Sequence, residues 1–328
     1  MDQSLKNTNR IVAISDHSVV LVKGADAVKF LQGQVTCDIN ALLSLSNRRP
    51  SALGAHCTHK GRMLFTFRAF CLDNKTVTLV IHRELIPQAI QSLSKYIVFS
   101  KAELIDAQTD YQLLGIEGKA GKAVLEEYIP NLSDQVDTVS LTDGLAAICL
   151  GNKRYEVLFN HNSDNDSSHT ASCKDSLYAV CKPADGDHWT LGNIESGIGE
   201  VRPETIEEFI PQMLNLHAVG NGISFNKGCY TGQEIVARMQ YRGKLKRQMY
   251  RLRSKTDKLF KPGDSIYSPS EDKPIGTVVI ASCIKGYADI LAVVLNKVIV
   301  EKDPIYLDKH HQHELKLLTI PYTITQET

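Results

Sequence analysis

The chain has 328 residues, 43% of them apolar and 23% charged, which is ordinary for a soluble globular protein of two or three compact units. Lys+Arg and Asp+Glu balance at 37 each, which excludes a global attraction to nucleic acid or anionic membrane, so any basic surface must be local. No apolar h-region of signal-peptide length opens the sequence and no run approaches the ~20 apolar residues of a membrane span, so the expectation is a cytoplasmic protein without membrane contact.

Residues 11–22 read as two short β-rich runs split at Ser15-Asp16-His17, followed by a short helix over Ala27–Gln32. Strands are expected over Arg62–Phe70 and Lys75–His82. A helix with one apolar stripe is expected over Glu84–Tyr96, and extended structure at Val98-Phe99. From about residue 102 the order is strand (Tyr111–Ile116), helix (Gly121–Tyr128), strand (Ala146–Leu150), strand (Arg154–Phe159). That alternation suits an α+β unit with helices on one face of an antiparallel sheet. Asn160–Ser172 is rich in turn formers and reads as a surface loop. From 247 to 320 short apolar runs separated by Pro and Gly suggest a small β-barrel or sandwich.

Eight cysteines are scattered without a CxxC pair, which fits a reducing compartment and gives no reason to expect a metal site. One of them, Cys229, lies in Asn226-Lys227-Gly228-Cys229-Tyr230-Thr231-Gly232-Gln233-Glu234. Lys227 offers positive charge that could favour a thiolate, and the two glycines permit a tight turn or a close approach to a ligand. The plainer reading is a structural loop cysteine. In Phe30–Asp38, Gln32, Gln34, Thr36 and Asp38 either cap backbone groups or face a ligand, and capping is favoured. Trp189, the sole tryptophan, is by itself a core residue, although it could stack on a flat heterocycle whose N–H groups Glu195 would accept. Arg238–Arg253 carries seven basic residues and no acid. It reads either as a phosphate-binding strip or as one solvated strand face.

Taken together, FLQGQVTCD (30–38), HKGRM (59–63), NIESGI (193–198) and the long run 209–247 containing KGCYTGQE resemble the folate-binding YgfZ family, which is related to the glycine-cleavage T-protein, an aminomethyltransferase. The resemblance implies an α+β fold arranged as a T-protein-like three-domain ring. Residues 1–101 plus 186–246 would form a discontinuous folate-binding domain, 102–185 a ferredoxin-like α+β domain, and 247–328 a C-terminal β-barrel. It implies tetrahydrofolate as ligand and a cytoplasmic accessory role toward iron–sulfur enzymes, including those of tRNA thiomethylation. Cys229, Lys227 and Glu234 carry over as the reactive group of residues, and Trp189, His17, Glu195, Tyr230, Gln233 and Arg242 as folate contacts. The alternative is a folate-dependent one-carbon transferase or demethylase. Against it, the region where the T-protein uses an aspartate reads His59-Lys60-Gly61-Arg62-Met63-Leu64, without a carboxylate. Direct tRNA contact through Arg238–Arg253 is the least favoured reading.

Overall fold

A computed structural model describes residues 8–44, 46–161, 167–242 and 245–324; of Ser167, Tyr241 and Arg242 it describes the backbone alone. The chain packs as two compact units. The first comprises residues 1–32, 38–52 and 67–186, the second 33–37, 53–66 and 187–328.

The first unit contains the strands β1 (Arg10–Ala13), β2 (His17–Lys23), the first half of β3 (Arg48–Cys57), the end of β4 (Met63–Cys71) from residue 67, then β5 (Thr76–His82), β6 (Glu103–Asp106), β7 (Tyr111–Glu117), β8 (Thr138–Thr142), β9 (Leu145–Gly151), β10 (Arg154–Asn160) and β11 (Lys182–Ala184). These strands belong to one eleven-stranded sheet, in the order β11-β1-β7-β10-β9-β8-β3-β4-β5-β2-β6. With helices α3 (Lys119–Tyr128) and α4 (Ser167–Val180), the order β11-β7-β10-β9 is that of a ferredoxin-like βαββαβ motif. Here β1 is added between β11 and β7, parallel to the former and antiparallel to the latter. Period-2 alternation explains the core. Leu114 and Ile116 of β7 and Tyr155, Val157 and Phe159 of β10 point to one face, where Leu125 of α3 and Leu177 of α4 cover them.

Three expectations change here. The loop expected to run to Ser172 gives way to α4 at Ser167, with residues 162–166 outside the described residues. That helix is mostly polar in sequence and is held by Cys173 and Leu177, both at 0% exposure against the α3 side of the core. The helix expected over Glu84–Tyr96 is a single 3-10 turn at Arg83–Leu85 continued by α2 (Ile86–Ser94). The extended structure expected at Val98-Phe99 is a 3-10 turn, Ile97–Phe99, with no buried residue.

The second unit is built around a six-strand antiparallel sheet, β13-β14-β15-β12-β17-β16, from β12 (Arg247–Lys255), β13 (Ser265–Ile266), β14 (Gly276–Ile284), β15 (Tyr287–Leu295), β16 (Ile305–Tyr306) and β17 (Glu314–Leu318). Tyr267, just past β13, and Tyr306 of β16 exchange backbone hydrogen bonds of 2.9 and 2.8 Å, so the two edges meet and the sheet is barrel-like. Its interior is apolar: Tyr250 and Leu252 of β12, Val278 of β14, and Ile290, Ala292 and Val294 of β15. The α+β class and the β-rich C-terminal unit are therefore as expected. Helices α5 (Gly186–Glu195), α6 (Gln233–Arg242) and α7 (Asn296–Glu301) complete this part of the chain. Among the described residues no helix is long and apolar enough to cross a membrane.

Candidate functional site

The cysteine-bearing turn alternates in exposure. Lys227 and Tyr230 are buried, while Gly228 and Cys229 between them are exposed. The chain is anchored on either side of the sulfur and lifts the sulfur outward. Two devices fix this shape. Gly232 adopts φ +85°, and a Cβ there would lie 2.5 Å from the Thr58 carbonyl oxygen and 3.1 Å from Cys57 Cβ. The turn is thus pressed against the β3–β4 connection, where Gly61 has φ +70° and a Cβ added to it would lie 2.9 Å from Ile235 Cβ. The second device is the Gln233 amide, which donates to the Tyr230 carbonyl at 3.1 Å as α6 begins.

The segment Gly33–Cys37 braces the turn from a distance of nearly 200 residues in sequence. The Lys227 ammonium donates to the carbonyls of Val35 at 2.8 Å and Cys37 at 2.6 Å, and it sits 5.2 Å from the centre of the Tyr230 ring. The Thr231 hydroxyl donates to Gln34 Oε1 at 3.1 Å. Thr36 Oγ1 donates to the Gly222 carbonyl and accepts from the Ala55 amide, while Gln32 and Asp38 bond each other and the amides of Ile39 and Asn40. Gln32, Thr36 and Asp38 therefore serve the backbone, as favoured, while Gln34 bonds a side chain of the cysteine-bearing turn. The charge expected beside the Cys229 thiol is engaged instead as a strut between two segments.

Burial separates the cysteines chemically. It pushes the Cys57 and Cys173 thiols up to about 12 and Cys71 to about 11, so these stay protonated and covered at neutral pH. Cys229 is the exposed thiol among them, with Cys283 intermediate. Burial likewise raises the Tyr230 phenol, with Cys57 and Cys37 adding to the effect. Among the described residues no group of three or more His, Cys, Asp and Glu is arranged to hold a metal ion.

A second constellation forms where α5 ends. Trp189 lies on α5, 5% exposed, and Glu195 is its last residue, with a side chain 35% exposed. Glu195 Oε1 accepts from Arg251 Nη2 at 3.3 Å. The turn that follows is clipped by Tyr322, whose hydroxyl donates to the Gly197 carbonyl at 2.7 Å, and Asn215 Nδ2 donates to Met249's carbonyl at 2.9 Å and to that same hydroxyl at 3.4 Å. Asn215 and Tyr322 escaped the sequence reading, and Arg251 entered it only as one charge of the basic strip. Their partners lie 34 to 125 positions away, and no local pattern marks the pairings.

The remaining expected residues divide. Gln233 and the exposed Glu234 open α6 beside the Cys229 turn. Arg242 closes α6, but its side chain lies outside the described residues. His17 belongs to the other compact unit, where its Nδ1 lies 2.9 Å from Asp16 Oδ1 and its ring meets His82 edge-on at 5.7 Å. In the basic strip, Arg251 and Arg253 are engaged in ion pairs with the buried Asp289, and Arg251 is itself buried, so this part is neither an open phosphate-binding strip nor a solvated strand face. A cleft of about 540 Å³ also opens in the second unit, with Arg62, Arg247, Glu207 and Glu208 among its lining residues. Phe209 and Met213 are also among its lining residues. Cys229 and Trp189 are not part of its wall.

Strand order and element sequence place the chain among proteins of the aminomethyltransferase fold. It superposes on the glycine cleavage system aminomethyltransferase T of Bartonella henselae with a TM-score of 0.74 at 15% identity, covering 96% of this chain and 86% of that one. The chain belongs to the YgfZ family. It is 32% identical over 326 residues to the tRNA-modifying protein YgfZ of Yersinia enterocolitica and 30% identical over 321 residues to that of Photorhabdus laumondii, in each case spanning 97% of this chain and 93% of the relative. An uncharacterized protein of Haemophilus influenzae is 31% identical over 321 residues, 97% of this chain and all of that protein. No family model matches the chain.

Proposed function

We propose that the chain is a folate-binding accessory factor of the cytoplasm that supports iron–sulfur enzymes of tRNA modification, tRNA thiomethylation among them, with Cys229 as its reactive group. The observation that carries this reading is the Cys229 turn: a single exposed sulfur held out by buried flanking residues. The names of the relatives, tRNA-modifying proteins, suggest the process, and the resemblance of the KGCYTGQE and NIESGI segments to a folate-binding family suggests the ligand class.

The residues present fit a reduced pterin. Such a ring carries adjacent N–H donors, and Glu195 offers a partly exposed carboxylate with one oxygen engaged by Arg251. Trp189 lies on the same helix, buried, and in this reading its ring would form the apolar side of the site, while Tyr230 and Gln233 belong to the Cys229 turn. Tetrahydrofolate supplies a carrier of one-carbon units when bound. The part of this chain is to hold the ring by Glu195 and Trp189 and to present Cys229 and Glu234 to a partner enzyme. Lys227 supports that presentation through the backbone it holds.

Replacing an exposed sulfur leaves packing unchanged, so Cys229→Ala keeps unfolding free energy within about 0.5 kcal/mol of wild type. In cells lacking the native gene, the same variant leaves thiomethylated nucleosides in bulk tRNA at the level of the deletion, measured by mass spectrometry. Full restoration by the alanine variant would remove the thiol from the function.

A further inference from the structure

The outer face of the barrel-like sheet carries a charge ladder that ends on Glu195. In the β12–β15 pairing Arg253 stands directly opposite Asp289, and Arg251, two residues earlier on the same face, lies diagonal to it. The intervening Leu252 points into the apolar interior at 0% exposure. Asp289, 3% exposed, receives Arg253 as a fork, Nε to Oδ2 and Nη2 to Oδ1, both at 2.9 Å. It also receives Arg251 Nη2 at 3.1 Å. Tyr287, on the same face of β15, covers Arg253 with its ring 5.8 Å from the guanidinium. Both Asp289 oxygens are thereby engaged, and Arg251 shares its Nη2 between Asp289 and Glu195 Oε1. Arg251 is itself 8% exposed, and its Nε is buried without a partner among the described residues.

We infer that Arg251 is a positioning residue for ligand specificity. Anchored by Asp289, it fixes the Glu195 carboxylate in one orientation, so that Oε2 and the remaining lone pair of Oε1 accept the paired N–H donors of a bound heterocycle. This rests on the folate reading above and sharpens it: the site selects a ring with an exocyclic amine next to a ring N–H, as in a 2-amino-4-oxopterin. Arg251 touches no ligand in this scheme and acts through Glu195. A guanidinium held by an aspartate is rigid where a free one is not. Without it, a carboxylate 35% exposed rotates and hydrates, and its preference for paired donors is lost.

The test is calorimetric titration of the full chain with tetrahydrofolate and with its 2-desamino analogue, for wild type, Arg251→Met, Arg251→Lys and Glu195→Gln. One hydrogen bond to a carboxylate sets the expected preference of wild type for tetrahydrofolate at about tenfold to a hundredfold. Arg251→Met and Glu195→Gln reduce the preference to about threefold or less, and Arg251→Lys retains part of it. A merely structural role for Arg251 would weaken both ligands equally and leave the ratio untouched, which would overturn the inference while sparing the folate reading. Should wild type bind neither ligand, the folate reading falls and takes this inference with it. If Arg251→Met does not fold, the lysine and glutamine variants decide on the same ratio.

Discussion

Gly232→Ala destabilises the second unit by roughly 3 kcal/mol, the sum of forcing a side chain into the left-handed region and of overpacking against a fixed carbonyl. Its backbone φ is +85°, and the new methyl would meet the Thr58 oxygen at 2.5 Å, inside any real carbon–oxygen contact. That oxygen belongs to the β3–β4 connection, whose own geometry is set by hydrogen bonds between the Thr58 amide and the Arg62 carbonyl and between the Gly61 amide and the Thr58 carbonyl. Neither side can retreat cheaply. Gly228→Ala is the matched control: a Cβ there meets nothing within 4 Å, and its φ lies outside the left-handed region. It changes stability by about 0.5 kcal/mol at most and can raise it, because alanine has fewer unfolded conformations. Urea unfolding of both variants checks the pair. Equal effects at 228 and 232 would show that the turn is not seated on the β3–β4 connection.

Lys227→Met has the second large effect, a loss of about 2–4 kcal/mol, because two charge-assisted hydrogen bonds disappear and the carbonyls of Val35 and Cys37 lose their donor. Methionine matches the aliphatic stem, so lost packing contributes little. The same variant decides between two roles for this lysine. As a strut, its removal lowers stability and leaves the midpoint of the pH profile of Cys229 alkylation in place. As a charge stabilising the thiolate, its removal shifts that midpoint upward by a full pH unit or so with stability nearly unchanged. The engagement of the ammonium by two carbonyls predicts the first outcome, read by urea unfolding beside alkylation rates from pH 6 to 10.

Strands with clean alternation could be read directly. His17–Lys23, Thr76–His82 and Arg154–Asn160 show β-branched or aromatic residues in period two, and each forms its strand. Arg48–Cys57 gave no such signal, because Pro50 and Gly54 interrupt it and its opening residues are arginines, yet it forms a ten-residue strand inside the first sheet. Pro50 is tolerated near the strand start, where β3 pairs with β8. Helix α4 was hidden because SSHTASCKDS looks like turn chemistry; packing of Cys173 and Leu177 overrides local preference. At the site, the bracketing glycines announced an unusual turn at Cys229, and the NIESGI segment announced Glu195. What remained invisible was long-range support. Lys227 reaches carbonyls about 190 positions upstream, and Arg251 finds Asp289 only once the register of β12 on β15 is known. Local sequence carries the functional group, and tertiary register carries its scaffold.

The most direct test of the account is protection of the Cys229 thiol by its proposed ligand. Native protein treated with iodoacetamide, with peptides quantified by mass spectrometry, should show Cys229 alkylated far ahead of Cys57, Cys71 and Cys173, which are buried with raised thiol pKa values. Saturating tetrahydrofolate is predicted to slow alkylation of Cys229 at least about fivefold while leaving Cys283 unchanged, since a ligand covering the site reduces the accessible fraction by mass action. An unchanged Cys229 rate at a tetrahydrofolate concentration shown by calorimetry to saturate the protein would contradict the proposal that the bound ring, in contact with Tyr230 and Gln233, covers the exposed sulfur.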